Sequence, residues 1–153
     1  MAIFPFFKTK PFFSEQEQAR IVEAIRIAEK ETSGEIRLYV ESKNPFMDPL
    51  DRAKEIFFQL NMQDTADRNA VLLYIAMKHH ELALFGDEGI HQKVGADYWK
   101  QAVKNMIAQF ANQHIVDGIE QCVLQIGQTL KETFPYNSST DKNELPDDLV
   151  FGK

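Results

Sequence analysis

The sequence predicts an α/β fold, specifically a three-layer α/β/α sandwich around a small mixed central sheet. Glu35 to Glu41 alternates, with Ile36, Leu38 and Val40 on one face and Arg37, Tyr39 and Glu41 on the other, the pattern of a strand. Ala70 to Met77 is an almost unbroken apolar run, Val71-Leu72-Leu73-Tyr74-Ile75-Ala76, which suits a central strand covered on both faces. A helical stretch lies between the two, so strand, crossover helix and strand form a right-handed βαβ unit with parallel strands. Glu81 to Phe85 then returns through a tight turn at His79-His80 as a third strand, antiparallel to the second, and Gly86 ends it.

The helices carry their own start signals. Ser14-Glu15-Gln16-Glu17 matches a capping box, in which the Ser14 hydroxyl and the Glu17 carboxylate satisfy reciprocal backbone donors. Ile21, Ala24, Ile25 and Ala28 follow on one face, and the helix is expected to stop at Gly34, which tolerates the left-handed conformation. Asn44-Pro45 marks a loop. Asp48-Pro49 reads as an N-cap followed by a proline at the first helical position, opening a helix through Ala53, Ile56, Phe57 and Leu60. Beyond Gly95 the pattern is helical almost to Pro135, with Tyr98, Ala102, Ile107 and Phe110 on one helix. Ile115, Ile119, Cys122, Val123, Ile126 and Leu130 stripe the next. The chain divides into a Phe-rich leader at 1–13, an α/β domain at 14–135 and a flexible, acidic C-terminal tail at 136–153.

Bulk properties exclude several classes. At 153 residues the chain fits one domain that buries a core without disulfides or structural metal. Its formal net charge of -6, with no Lys/Arg run, argues against nucleic acid or anionic lipid as a partner, since both rely on clustered basic residues. Cys122 is the single cysteine, so no intramolecular disulfide forms. No apolar run reaches the roughly 18–20 residues that span a bilayer. The N-terminus lacks the basic and long apolar regions of a secretory signal, so a cytoplasmic location is expected.

The topology collects acidic residues. Parallel strands begin at one sheet edge, which places Glu35 beside Asp67-Arg68-Asn69; the third strand ends there too, bringing Gly86-Asp87-Glu88-Gly89 alongside. Glu35, Asp67, Asp87 and Glu88 become candidates for one oxygen-rich cluster, with Asn69 adding a neutral carbonyl. Two carboxylates about 4–6 Å apart repel by roughly 3–4 kcal/mol at an effective dielectric near 20. Relief comes from a bound cation, from Arg68, or from a raised pKa. Hard oxygen donors without a thiolate favour Ca²⁺ or Mg²⁺ over zinc, and the glycines at 86 and 89 suit a tight loop around an ion. The bland alternative is that these side chains splay into solvent or pair with Arg68.

Other constellations read as structural. His79, His80, His91 and His114 include no i,i+4 pair, so a zinc site is not expected. Cys122 lies on an apolar stripe and reads as a core thiol. Tyr98 and Trp99 read as packing residues, and Asp97 as a complement to the helix dipole. Neither a P-loop nor a G-x-S-x-G elbow occurs.

Thr32-Ser33-Gly34-Glu35-Ile36, Asp48-Pro49, Arg52-Ala53, the segment Asp67-Arg68-Asn69-Ala70 with its apolar strand, and Gly86-Asp87-Glu88-Gly89-Ile90 resemble the TPM-domain family. The ending Asn143-Glu144-Leu145-Pro146-Asp147-Asp148 is similar to the tail of its short, stand-alone bacterial members. The resemblance implies an α/β/α sandwich. Its members include a plant thylakoid protein reported as an acid phosphatase, membrane-tethered proteins, and proteins described as binding divalent cations at the acidic edge. It carries over Glu35, Asp67, Asn69, Asp87 and Glu88 as candidate metal ligands, and in a phosphatase reading Arg68 is the candidate anion contact. This chain has Ala70 where many relatives carry Gly. The leading expectation is a binding or accessory module that takes Ca²⁺ or Mg²⁺. An interaction module that docks a protein partner through the leader or the last helix comes second. A metal-assisted phosphatase acting on phosphomonoesters is the enzymatic alternative.

Overall fold

The alternating segment and the apolar run become neighbouring parallel strands in the computed structural model, which describes residues 12–45, 47–136 and 150–152. Strands β1 (Glu35–Glu41) and β2 (Ala70–Ala76) pair in register from Glu35–Ala70 to Glu41–Ala76. Strand β3 (Glu81–Gly86) returns antiparallel, with Gly86 opposite Val71. The turn between them ends on His80 with a φ of 54°, and the hairpin is closed as the sequence predicts. One strand was not legible: β4 (Val150–Phe151) adds parallel to the outer side of β1, giving the order β3-β2-β1-β4. Two residues are too few to show a period. The leader rings at 1–11 and the mobility expected around 137–148 lie outside the described residues.

The two faces of the sheet are covered by different helices, which confirms the mixed sheet between helical layers. Helix α2 (Pro49–Gln59) covers one face with Ala53, Ile56 and Phe57, packed on Leu72, Tyr74 and Ala83. Helices α1 (Glu15–Glu29), α4 (Ala96–Ala111) and α5 (Ile115–Thr133) cover the other, over Ile36, Leu38, Val40, Val71, Leu73 and Ile75. Every residue of β2 is buried, which is why its sequence is apolar without alternation. Phe13, at the end of the leader, enters this larger core, and the Phe12 ring lies 6.2 Å from that of Phe151 on β4. No helix of the described residues is long and apolar enough to cross a membrane.

Local chemistry explains where the helices begin. Ser14 and Glu17 form the capping box, and the Asp48 carboxylate accepts from Leu50 N ahead of Pro49. The end of α1 differs from expectation: it closes at Glu29, not Gly34. The chain leaves the helix because Thr32 bridges Pro135 and its hydroxyl lies 3.0 Å from the Leu130 carbonyl, with Gly34 N donating back to Thr32 Oγ1. Gly34 is needed for close approach; a Cβ there would sit 2.7 Å from the Leu130 side chain.

The far end of β1 is closed by charge pairing. Glu41 is 3% exposed and accepts from Arg52 Nε and Nη2 at 2.8 and 2.9 Å, while the Tyr74 hydroxyl donates to the same carboxylate. Burial and the neighbouring carboxylate push the Tyr74 phenol far above its ordinary pKa, so it stays a donor.

Helices α1 and α5 meet at Gly127, where a Cβ would stand 2.5 Å from Ala28 Cβ and 2.7 Å from its Cα. Leucine is the better helix former, yet Gly127→Leu is expected to destabilise the protein by about 1–3 kcal/mol in urea denaturation, because the backbone contact leaves no room.

Candidate functional site

The strand edge that begins β1 and β2 and ends β3 is assembled by backbone bonds before any side chain contributes. Asp87 N donates to the Ala70 carbonyl at 2.9 Å, continuing the β2–β3 ladder. The Asp87 side chain then caps a short helix, α3 (Glu88–Val94), by accepting from Glu88 N at 2.8 Å. The segment expected to form a tight loop around an ion is therefore a strand end, a cap and a helix start. Its glycines serve packing: a Cβ at Gly86 would meet the Trp99 ring at 2.3 Å. At Gly89 a Cβ would meet the carbonyl oxygens of Asp67 and Arg68 at 2.1 and 2.6 Å. Gly89 N instead donates to the Arg68 carbonyl at 2.8 Å, and so ties α3 to the turn before β2.

Arg68 sits in that turn with a φ of 50° and directs its guanidinium back onto the protein. Its Nε and Nη2 donate to the two oxygens of Asp87 at 2.6 and 2.8 Å, a bidentate fork, and Nη1 reaches Glu88 Oε1 at 3.3 Å. Asp87 has 3% of its side chain exposed, Arg68 37% and Glu88 65%. The hydrogen bonds that Arg68 donates to Asp87, with smaller effects from the charges of Asp87, Glu88 and Asp64, raise the Arg68 pKa further above its already basic value.

A second chain of contacts runs beside the first. Asn69 Nδ2 donates to Ser33 Oγ at 3.1 Å, and the Ser33 hydroxyl donates to Asp67 Oδ2 at 3.3 Å. Asn69 is 1% exposed, and its Oδ1 accepts no hydrogen bond among the described residues. Glu35 lies buried at the first register pair of β1, opposite Ala70. The sequence-predicted residues thus reach one edge but not one point. Asp87 and Glu88 face Arg68, Asp67 faces Ser33, and Glu35 is buried in the sheet layer. Among the described residues no three His, Cys, Asp or Glu side chains stand close enough together to hold a metal ion.

Two residues at this edge escaped sequence reasoning. Ser33 links Asp67 to Asn69 across 34 and 36 positions of sequence. Glu29, in the last turn of α1, reaches Ile36 N with its Oε2 at 2.6 Å. An acidic residue in a last helical turn opposes the dipole, and that was the available signal that it is held by something else.

Cys122, Tyr98 and Trp99 pack against the core, as expected from the sequence. Cys122 is buried on α5, and desolvation pushes its thiol up to about 12. Trp99 is buried and donates from Nε1 to His91 Nδ1 at 3.1 Å, while the Tyr98 hydroxyl donates to Thr129 Oγ1 at 2.9 Å.

Both edge segments and the three main strands fall within residues 7–129, which match the model of the TPM domain. The chain belongs to the TPM-domain family. Its fold is similar to that of the BA42 protein from the psychrophilic bacterium Bizionia argentinensis, with 34% identity and a TM-score of 0.86 over 95% of this chain and 99% of that one. The N-terminal domain of a P. gingivalis protein is 13% identical, with a TM-score of 0.67 over 80% of this chain and 78% of that one. The N-terminal domain of the cg2496 protein from Corynebacterium glutamicum is 11% identical, with a TM-score of 0.56 over 98% of this chain and 92% of that one. These last two show the fold alone. No curated protein matches the sequence.

Gly89→Ala is expected to cost about 1–3 kcal/mol and to shift the amide resonances of residues 67–69, because the added methyl displaces the backbone that carries the site. Because a raised pKa keeps the thiol protonated, Cys122 is expected to resist Ellman's reagent at pH 8 in the folded protein and to react on unfolding in urea.

Proposed function

We propose that this TPM domain is a binding or accessory module whose acidic sheet edge takes a divalent cation, Ca²⁺ or Mg²⁺. The observation that carries the reading is Asn69 Oδ1, a buried carbonyl oxygen that accepts no hydrogen bond among the described residues. Leaving such an acceptor without a partner costs about 1–3 kcal/mol, so a ligand that satisfies it recovers that energy. The oxygen groups at the same sheet edge are of the hard kind. Ser33, Asp67, Asp87 and Glu88 offer hydroxyl and carboxylate oxygens. Arg68 faces Asp87 and Glu88, while the Asp67 carboxylate accepts from the Ser33 hydroxyl.

Glu35, Asp67, Asn69, Asp87 and Glu88 are the candidate ligands; in the arrangement described above they do not meet at one point, so holding an ion requires some of them to draw together. The phosphatase alternative assigns phosphate to Arg68. That guanidinium already faces Asp87 and Glu88, and a phosphomonoester, with a charge of about -1.5 to -2 near pH 7, meets repulsion from those same carboxylates. A binding role that needs no reacting group is the reading we favour.

Calorimetric titration of the whole chain with Ca²⁺ and with Mg²⁺ is expected to give a Kd of about 1 mM or tighter for at least one of them. Asp67→Asn, at an exposed position, is expected to weaken binding about tenfold without changing the urea midpoint. Absence of binding by the wild-type chain, or equal heats in the variant, would sink the reading.

A further inference from the structure

Two large apolar side chains stand exposed on the outer face of the α1–α5 pair. Ile27 of α1 is 54% exposed and Leu124 of α5 is 43% exposed, and both line one groove between the two helices together with Ala19 and Ala24. Independently of the cation reading, we propose that the chain's own leader occupies this groove. Residues 3–10 run antiparallel to α1 there, with the Phe6 and Phe7 rings on Ile27 and Leu124.

Three observations carry this. The first is where the described chain begins. Phe13 is buried, the Phe12 ring lies 6.2 Å from that of Phe151, and the backbone bends at both residues ahead of the Ser14 cap. Phe12 and Phe13 line a cavity between the N-terminal ends of α1 and α5, and Arg20 lines that cavity and the groove alike. The leader therefore joins the domain at the mouth of the groove.

The second is length. From Phe13 to Ile27 the axis of α1 advances about 21 Å, at about 1.5 Å per residue. Extended chain covers about 3.3 Å per residue, so about six or seven residues span that distance. Counting back from Phe12, Phe6 and Phe7 come level with Ala24 and Ile27. Lys8 and Lys10 come level with the turns of α1 from Glu17 to Glu23.

The third is chemistry. Residues 1–11 hold Ile3, Phe4, Phe6 and Phe7, and Lys8 and Lys10 are their only charged side chains. Along the groove and the cavity at its mouth stand Glu17, Glu23, Asp117 and Glu120, which outnumber Arg20 and Arg26, the guanidiniums paired with them. An apolar segment with two lysines thus meets an apolar strip with an acidic flank. Tethering holds the leader at a local concentration on the order of millimolar, so it outcompetes a free chain of the same composition.

The test uses the full chain. NOE spectra of methyl-labelled protein are expected to connect the Phe6 and Phe7 rings with the Ile27 and Leu124 methyls. A sample that mixes labelled and unlabelled chains is expected to show these contacts as intramolecular. Trypsin cleavage after Lys8 is expected to run about tenfold faster in Leu124→Glu, because it tracks the population of undocked leader. Ile107→Glu, at an exposed apolar position on α4, is the control and should leave the rate unchanged. The NOE arm needs no variant, so it decides the matter even if Leu124→Glu fails to fold. Contacts that prove intermolecular would put a second copy's leader in the groove and overturn the proposal. Missing contacts from the leader rings to Ile27 and Leu124, or equal cleavage rates in the wild type and Leu124→Glu, would overturn it as well.

Discussion

Parallel pairing of β1 with β2 in one register is the constraint on which the rest of the molecule depends. Because side chains alternate across a strand, a slip of one residue would turn Ile36, Leu38 and Val40 away from the core under α1 and α5. The register therefore cannot drift, and it aligns both ends of the sheet at once. Glu35 and the turn at 67–69 meet at one end, where Asp87 also arrives through its bond to Ala70. Glu41, Tyr74 and Arg52 meet at the other.

Each end then has to accommodate a buried carboxylate, and each does so with an arginine fork. The two solutions differ in what surrounds the pair. Around Glu41 the shell is complete, with two guanidinium donors and a phenol. That arrangement is suited to holding α2 against the sheet. Around Asp87 the carboxylate is buried but the arginine is partly exposed and also reaches Glu88, and the Asp67–Ser33–Asn69 chain lies at the same edge. The contrast is one of exposure: the Arg68 side chain is 37% exposed where that of Arg52 is 15% exposed.

Much of this was legible in the linear sequence. The capping box at Ser14, the proline-led start of α2, and the apolar run of β2 are local signals whose physics needs no partner. The convergence of Asp67 with Asp87 and Glu88 at one edge was legible as well, since it follows from strand directions. Helix α3 was not, because the Gly-Asp-Glu-Gly segment that opens it has the composition of a turn. Its glycine is there to let the helix approach the Asp67 and Arg68 carbonyls. The end of α1 was misplaced for a related reason: Gly34 answers to Leu130, almost a hundred residues away in sequence, and not to the helix.

By itself, then, the sequence determined the order of the elements, the faces they bury and the edge at which the acidic residues gather, because periodicity and strand direction are properties of neighbouring residues. Only the tertiary structure decided which charge each carboxylate meets. Arg68 turns onto Asp87, Ser33 comes between Asp67 and Asn69, and Asn69 Oδ1 accepts no hydrogen bond among the described residues. Those pairings are set by contacts of a few ångströms between segments far apart in the chain, and no spacing along the sequence encodes them.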